Sequence, residues 1–399
     1  MQFELTTANK IRLILAPVAL TSVLFPELCH PALDRLWDVL LAWRVCHWSS
    51  FETIWTVFWY AAIEASMTVV FMRHPERRFV QPRGAGSMDE GGEEATSVQN
   101  GNDSIVEETT NLNETGPSEN GSVGTTKENK RGVRIKGMRR PSRRIGEILT
   151  YIAPLLAMDF TMIKKFRDVP LERILESGGY SVPPVPPMPS NSTATSIPNS
   201  LPPKTFLIPT LHNFTSSSPL QLYRALPTHP PSSRRLVLEL VASLIIYDAL
   251  FFLFHLSLHA IPAFRVHHLK HHNHGRQINP QVTNQLGVVE RLGLVMLANF
   301  SLNVIGAHVL TRMGFVVVFV WLLVEIHSGM ETGWGYEKVL PRGWGGGAKG
   351  HWGHHVGRVG DGVREEGGYA PFFCWCDGVW AWCAVRRREN GAVGADRGT

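Results

Sequence analysis

The sequence has few cysteines, a modest net charge and no segment typical of a cleavable signal peptide. Its five cysteines are too few and too scattered among 399 residues for a disulfide framework. The net charge is only +5, and the basic residues gather beside apolar segments rather than among aromatic residues. This distribution favours a membrane surface as a partner and no nucleic acid. We find no internal repeat, and the missing cleavage site does not oppose membrane insertion, because a first spanning helix can itself target a chain.

Long apolar runs stand between the polar stretches. A spanning helix needs about 20 residues, and the candidate regions are 11–25, 53–72, 145–163 and a pair made of 236–254 and 292–326. The first region contains Pro17, so spanning and interfacial placement are both left open. The run 292–326 predicts a helical hairpin bent near Arg312 and Gly314. The sequence therefore predicts an all-α, multi-pass membrane bundle with about four spanning helices.

The polar stretches suggest how the chain is divided. Residues 127–144 hold nine Lys or Arg and one Glu, and basic residues beside a span favour the cytosolic side. The segment before them has almost no aromatic residues, which predicts disorder. A second segment is rich in proline and serine, as linkers are. We predict an N-terminal membrane region at 1–79, a disordered cytosolic loop at 80–144, a transmembrane helix at 145–163, a linker at 164–234, a catalytic domain at 235–380 and a disordered tail at 381–399.

Histidine is concentrated in one part of the chain. Twelve of the seventeen histidines lie between residues 255 and 355, and three short motifs repeat helical spacings. "HLSLH" holds His255 and His259, "HLKHH" holds His268, His271 and His272, and "HWGHH" holds His351, His354 and His355. Residues at i, i+3 and i+4 share one face of a helix. Imidazole is a good ligand for iron, zinc, copper and nickel, so the three motifs predict a metal site.

The number of histidines bears on how many metals are expected. A single HxxxH motif is more often accidental than a ligand pair, and a single HxxHH motif is ambiguous. Three such motifs ordered around a membrane hairpin favour a metal site over chance. A soluble zinc site usually has three or four ligands, often including cysteine. Eight imidazoles without paired cysteines near them therefore argue for two metals.

The three motifs resemble the histidine boxes of the membrane-bound fatty acid hydroxylase and sterol desaturase superfamily. That pattern is an HxxxH box, an HxxHH box and a later (H/Q)xxHH box. Between the boxes, "GAHVLT" and "VEIHSGMETGWGYEKVLPRGWGGG" look like segments of cholesterol 25-hydroxylases and their fungal relatives, and "YAPFFCWCD" resembles the closing "APxFTxWD" element of the family. The resemblance covers about residues 236–380.

The resemblance implies a function as well as a fold. It implies two iron ions, with zinc possible in purified protein, held by histidines in a cap on the cytosolic face of the bundle. It implies hydroxylation of a C–H bond of a sterol or other lipid with O2, and electrons from NAD(P)H through cytochrome b5 and its reductase. The implied location is the endoplasmic reticulum membrane.

The resemblance also assigns site residues. The box histidines match position by position, and the isolated histidine of "EIHSG" adds a ninth ligand, so the implied metal ligands are His255, His259, His268, His271, His272, His327, His351, His354 and His355. His308 matches a family histidine and is expected to be a ligand or a neighbour of one. Asp248 lies two helical turns before His255, where its carboxylate could orient an imidazole. His267 and His274 match no box position and are expected at the surface.

Three departures from the family pattern keep other functions open. Leu256 stands where the family has arginine after its first histidine, and Cys376 stands where the closing element has tryptophan. A Gly-rich stretch, "VGRVGDGVREEGG", about doubles the usual spacing after the third box. These departures point to a catalytically weakened, lipid-binding member as one alternative. A desaturase of the same family is the other, because it differs from a hydroxylase only in where the oxidised carbon lies relative to the metals. A histidine-rich zinc transporter is disfavoured, because its histidines usually form repetitive HxH runs.

The boxes must face one compartment to share metals, which constrains the topology. A cytosolic 80–144 loop places the following linker in the lumen and the boxes in the cytosol. The basic run 164–167, Arg234 and Arg235 would then be lumenal, against the positive-inside tendency. Glycan acceptor patterns that can test this occur at Asn191 and Asn213 in the linker and at Asn102, Asn113 and Asn120 in the loop.

Overall fold

The computed structural model describes residues 6–79, 145–163, 166–170, 173, 210–211, 223–272, 278–356 and 369–379. The predicted loop at 80–144, the tail at 381–399, His274 and most of the linker lie outside these residues. Within them the protein is helical, which confirms the all-α prediction. The described strand residues form one short antiparallel pair, Met162–Ile163 with Thr210–Leu211.

Ten α-helices are described, and we number them in chain order. They are α1 Thr7–Leu24, α2 Pro26–Ala42, α3 Phe51–Arg73, α4 Ile145–Thr161, α5 Ser233–Ala260, α6 Pro262–His272, α7 Val288–Val304, α8 Val309–Ile326, α9 Tyr336–Val339 and α10 Gly347–Val356. Three 3-10 turns, Arg44–His47, Pro75–Arg77 and Pro280–Asn284, lie between them.

Four helices are long and apolar enough to cross a membrane: α1, α3, α5 and α8. This number agrees with the predicted bundle, and α1 qualifies despite Pro17. The predicted span at 145–163 is represented by α4, which has 17 residues and is shorter than the four. α4 packs against α3 and α7, and α7 packs against α5, so both lie beside the four long helices.

The predicted bend near Arg312 and Gly314 is wrong. The hairpin turns between α7 and α8, where Gly306 adopts a left-handed φ of 61° and the Ala307 N–H bonds the Leu302 carbonyl at 2.9 Å. A glycine in this conformation is a common way to end a helix. Arg312 stays inside α8, because its guanidinium is matched by the carboxylate of Glu52 on α3.

Contacts between the helix ends show that the chain runs back and forth through the bundle. At one end, the Phe79 N–H bonds the Gly329 carbonyl at 2.9 Å, just after α3 and α8 end. At the other end, Ser233 at the start of α5 donates to the Ser22 carbonyl of α1 at 2.7 Å. The box histidines lie at the first of these ends, which we call the histidine end. The chain reaches residue 79 at the histidine end and enters α5 from the opposite end.

A cluster of aromatic side chains packs beneath the histidine end. Tyr247 of α5 is fully buried and lies against Phe319, with ring centroids 4.8 Å apart, and against Phe372, at 5.8 Å. Offset and edge-to-face contacts of this kind add to the stabilisation from burial. The cluster therefore joins α5, α8 and the segment around residue 372 below the histidines.

Candidate metal centre

The predicted ligand histidines come from four helices that meet at one end of the bundle. His255 and His259 lie one turn apart near the end of α5, and His327 directly follows α8. The second box is on α6 and the third box is on α10. Because each box is helical, its i, i+3 and i+4 side chains share one face, and that face is turned inward.

The nine imidazoles form two groups. Group A contains His255, His259, His268, His272 and His354. Group B contains His271, His327, His351 and His355. Within each group, one ligand atom per residue lies within 4.8 Å of every other. The second and third boxes contribute to both groups, so a pair of metals held here would be close neighbours.

The spacing of the ring nitrogens fits metal ions better than hydrogen bonds. In group A, the Nε2 atom of His268 lies 3.0 Å from the Nε2 atoms of both His255 and His259 and 2.8 Å from that of His272. One ring nitrogen cannot hold a proton for three such partners. Ligands at about 2.1 Å from one metal stand about 3 Å apart when they are adjacent in its coordination sphere. Group B repeats this spacing, with His327 Nε2 at 3.2 Å from His271 and 3.0 Å from His351.

Five box histidines outside the spanning helices have a lowered pKa, which favours the neutral form that binds metals. Burial, followed by neighbouring histidines such as His268 and His259, lowers the pKa of His272 to about 2 and that of His354 to about 3. The same causes lower the pKa of His271, His351 and His355 well below the usual value. Both ring nitrogens of His354 are buried without a hydrogen-bond partner among the described residues. The donor set therefore fits two metal ions.

Several imidazoles are oriented through their other ring nitrogen. His327 Nδ1 lies 2.8 Å from the Leu323 carbonyl of α8, and His255 Nδ1 lies 3.0 Å from the Tyr369 carbonyl. His268 Nδ1 bonds a carboxylate oxygen of Glu290. A carbonyl or carboxylate on Nδ1 fixes the tautomer, so that Nε2 is free to bind a metal.

Glu290 is the site residue that sequence reasoning missed. It lies in the first turn of α7, is 3% exposed, and also accepts from the Gly287 N–H at 2.9 Å. An acidic residue at the third position of an apolar helix, shortly after the second box, is the signal that could have found it. The carboxylate thus begins α7 and orients His268 at the same time.

Asp248 does not have the predicted partner. It is fully buried, but its Oδ1 accepts from the backbone N–H groups of Phe372 (2.8 Å) and Phe373 (3.2 Å). The prediction took the helical face into account but not the backbone of a segment 124 residues away. Asp248 therefore reaches the histidines only through the segment that it holds.

His308 lies at the opposite end of the bundle from the two groups. Its Nδ1 accepts from the Leu310 N–H at 3.1 Å, which caps the start of α8, and its Nε2 lies 3.0 Å from the His229 carbonyl. Burial lowers its pKa to about 4, so the ring is neutral there. The structure thus gives His308 a role in starting α8. His267 is exposed on α6, outside both groups, in agreement with its predicted place at the surface.

Comparisons with known proteins agree with the histidine pattern. A family model described as fatty acid hydroxylase matches residues 240–380. A cholesterol 25-hydroxylase-like protein of Danio rerio is 32% identical over 148 residues, which are 37% of this chain and 56% of that protein. The cholesterol 25-hydroxylase of Homo sapiens is 33% identical over 155 residues, 39% of this chain and 54% of that enzyme. The match thus spans about half the length of these relatives. No solved structure matches the chain.

Proposed function

We propose that this chain, which carries a domain of the fatty acid hydroxylase family at residues 240–380, is a membrane-bound di-iron oxygenase that hydroxylates a C–H bond of a sterol or other lipid. The relatives named as cholesterol 25-hydroxylases support a lipid hydroxylase over other oxidoreductases. They match over part of their length, so the substrate of this chain is inferred only at the level of lipid class.

The main support for the proposal is the pair of histidine groups. Nine imidazoles from four helices converge on two centres, and the structure describes no other cluster of His, Cys, Asp or Glu with this geometry. Iron held by such ligands supplies the capacity to activate O2 and oxidise an unactivated C–H bond. Group A and group B would each hold one ion.

The rest of the chain contributes orientation and exclusion of water. Glu290, the Tyr369 carbonyl and the Leu323 carbonyl fix three imidazoles from behind. The aromatic cluster around Tyr247 lies below the histidines and keeps that side apolar. The outer faces of the spanning helices expose large apolar side chains near the histidine end, such as Leu13 (62%) and Leu253 (61%). A lipid can therefore approach the histidine end from the membrane without crossing water.

We further infer that electrons come from NAD(P)H through cytochrome b5 and its reductase, and that the histidine end faces the cytosol at the endoplasmic reticulum. The family resemblance supports the electron donors. The topology of the bundle supports the orientation, because the basic cluster 127–144 belongs to the loop that leaves α3 at the histidine end.

Metal analysis of the purified full chain tests the proposal most directly. We expect about two iron ions per chain, because the two groups offer separate sets of imidazoles. His271→Ala should lose iron at group B and His354→Ala at group A. His267→Ala is the matched control, because His267 lies on the same helix as the second box but outside both groups. Folded protein without bound metal would refute the di-iron proposal.

The lipid extract of cells that lack this chain tests the substrate. Accumulation of one sterol or sphingolipid precursor, relieved by the wild-type chain and not by His354→Ala, would name the class. A precursor that differs from its product by a double bond would favour a desaturase instead. An unchanged lipidome would favour the lipid-binding alternative, to which the cysteine at position 376 and the Gly-rich spacing point.

A further inference from the structure

The segment that follows the third box, residues 369–377, reaches back to the first box. We call it the closing segment. It comes 114 residues after His255 in sequence, yet the Tyr369 carbonyl lies 3.0 Å from His255 Nδ1. The contact depends on the path of the backbone in this segment, so what holds that path matters for the site.

Two buried or partly buried carboxylates hold the backbone of the closing segment. Asp377 accepts from the Tyr369 N–H at 3.1 Å and from the Ala370 N–H at 3.2 Å, one with each oxygen. Asp248 of α5 accepts from the N–H groups of Phe372 and Phe373. Each carboxyl group thus accepts two backbone hydrogen bonds, which fix the path of the segment at four residues.

The closing segment is also attached to the start of the third box. The Gly346 N–H bonds the Phe372 carbonyl at 3.0 Å, and the Cys374 N–H bonds the Trp344 carbonyl at 3.0 Å. Residues 344–346 directly precede α10, which carries the third box. The segment is therefore fixed between α5 and α10, the helices of the first and third boxes.

The side chain of Tyr369 contacts only one of the two groups among the described ring contacts. Its ring lies 5.7 Å from that of His255, 5.4 Å from that of His259 and 5.6 Å from that of His354. All three histidines belong to group A. Tyr369 is 7% exposed, so it covers this side of group A from solvent.

Cys376 and Leu256, the two residues that differ from the family pattern, are close together under the closing segment. Cys376 is buried in a small apolar cluster with Phe252, Tyr369 and Ala370, and Leu256 packs against that cluster. Cysteine in place of the family's tryptophan and leucine in place of the family's arginine thus occur in the same cluster. The segment remains packed on α5 with both changes present.

We propose that the closing segment positions group A and not group B, with Asp377 and Asp248 as positioning residues. Their carboxylates fix the Tyr369 carbonyl against His255 Nδ1. This contact leaves His255 Nε2 directed toward the centre of group A, where a metal ion would be held. The inference rests on the proposed function, because it assigns a role toward the metals of that site. Loss of the Asp377 carboxylate should weaken iron binding at group A about 10- to 100-fold, as loss of such outer contacts does.

Mössbauer spectroscopy of the full chain loaded with enriched iron tests this selectivity. Wild-type protein should show two iron signals of similar area, which His259→Ala and His355→Ala assign to group A and group B. Asp377→Ala should lose most of the group A signal and keep the group B signal. Asp377→Asn should be intermediate, because an amide keeps only one acceptor oxygen for two N–H groups. Asp38→Asn, a change of an exposed aspartate on α2, is the control.

The outcomes separate this inference from the proposed function. Wild-type protein without iron signals would contradict the proposed function. Two normal signals in wild type and in Asp377→Ala would contradict only the positioning role. Parallel loss of both signals in protein that stays monodisperse would also overturn it, since it would show a general structural role. If Asp377→Ala does not fold, Asp377→Asn and Asp248→Ala decide by the same comparison of areas, because alanine at 248 removes the oxygen that accepts from Phe372 and Phe373.

Discussion

At the residue scale, the site depends on what each imidazole contacts behind the metal position. His268 is central in group A, because its Nε2 lies within 3.0 Å of three other ring nitrogens while its Nδ1 is bonded to Glu290. A carboxylate in this place makes the imidazole a better donor to a metal. Glu290 therefore acts on the centre without being a ligand.

Replacing Glu290 tests this role. Glu290→Gln keeps the size of the side chain and an acceptor for the Gly287 N–H, but removes the charge behind His268. We expect metal affinity to fall about 10- to 100-fold, measured by competition with a chelator. Glu331→Gln is the control, since Glu331 is exposed and pairs with Lys338 at the surface. Equal affinities in the two variants would contradict the assignment.

The buried histidines also predict how the metal-free protein responds to acid. His272 and His354 have folded pKa values of about 2 and about 3, against an ordinary value of 6.5, because burial disfavours their charged forms. In the unfolded chain these two histidines take up protons below about pH 6.5. In the folded chain the same two side chains take up protons only near pH 3 and below. The free energy of unfolding should therefore fall as the pH is lowered through this window.

Thermal unfolding of chelator-treated protein in detergent measures this effect. The melting temperature should decline steadily on acidification below the ordinary histidine pKa. A variant with glutamine at positions 272 and 354 should decline less, because it has two fewer histidines that resist protonation. A melting temperature independent of pH in the wild type would show that these side chains are not buried in the neutral form.

At the scale of elements, the stretch after the second box is held by a close backbone contact. Gly329, just after His327, has a φ of 65°, and a Cβ placed there would lie 1.9 Å from the Ile278 carbonyl oxygen. Residues 278–284 pack at that point against α3 and α8. The glycine thus allows the chain between the second box and α7 to lie beside His327, a histidine of group B.

Gly329→Ala should destabilise the protein, because of the backbone conformation at this position and because of the nearby carbonyl group. A left-handed φ disfavours alanine, and the carbonyl must move, so we expect a loss of more than about 1 kcal/mol. The melting temperature of the purified protein measures it. Gly350→Ala on α10 is a matched control, because a Cβ there meets no atom within 4 Å and alanine suits a helix. If both variants melted alike, the close contact would not constrain the fold.

A buried ion pair joins three helices at the opposite end. Arg312 of α8 is 1% exposed and donates to both carboxylate oxygens of Glu52 at 3.0 Å. It also donates to the amide oxygens of Asn299 and Asn303 on α7. An intramembrane arginine is stable only when it is paired in this way. The network fixes α3, α7 and α8 relative to each other, on the far side from the metals.

Arg312→Met should therefore be costly. Removing the Arg312 guanidinium takes away two charge-assisted hydrogen bonds of Glu52, which keeps its pair with Arg224 at 3.2 Å, so we expect a loss of about 1.5–3 kcal/mol. Thermal unfolding in detergent gives the measurement. Lys338→Met breaks the more exposed pair with Glu331 and should cost no more than about 1 kcal/mol. Similar melting temperatures for the two variants would mean that the pair at Arg312 is not essential.

The sequence predicted those parts of the site that depend on local geometry. The box spacings place each set of histidines on one helical face, and the structure turns those faces to two common centres. The partners of Asp248 could not be predicted in this way, because they come from a segment that approaches α5 only in the folded chain. The bend predicted at Arg312 was wrong for the same reason: the charge suggested a loop until Glu52 was known to face it.

At the scale of the whole molecule, the alternation of helices decides on which side each polar segment lies. The chain leaves α3 at the histidine end, and α4 returns it, because Asp159 near the end of α4 bonds Thr53 near the start of α3. α5 then starts from the opposite end, where Arg235 pairs with Glu239 and Asp168. The loop 80–144 therefore starts at the same end as the metals, and the linker between α4 and α5 connects at the other end.

Glycan mapping in microsomes tests the orientation that we propose. If the histidine end faces the cytosol, Asn191 and Asn213 can reach the lumenal transferase, and Asn102, Asn113 and Asn120 cannot. We expect a shift in mass that is removed by glycosidase and abolished in a variant with glutamine at 191 and 213. The triple variant at 102, 113 and 120 is the control and should keep the shift. The reverse pattern would place the histidine end in the lumen, away from a cytosolic source of electrons, and would contradict the proposed donors together with the orientation.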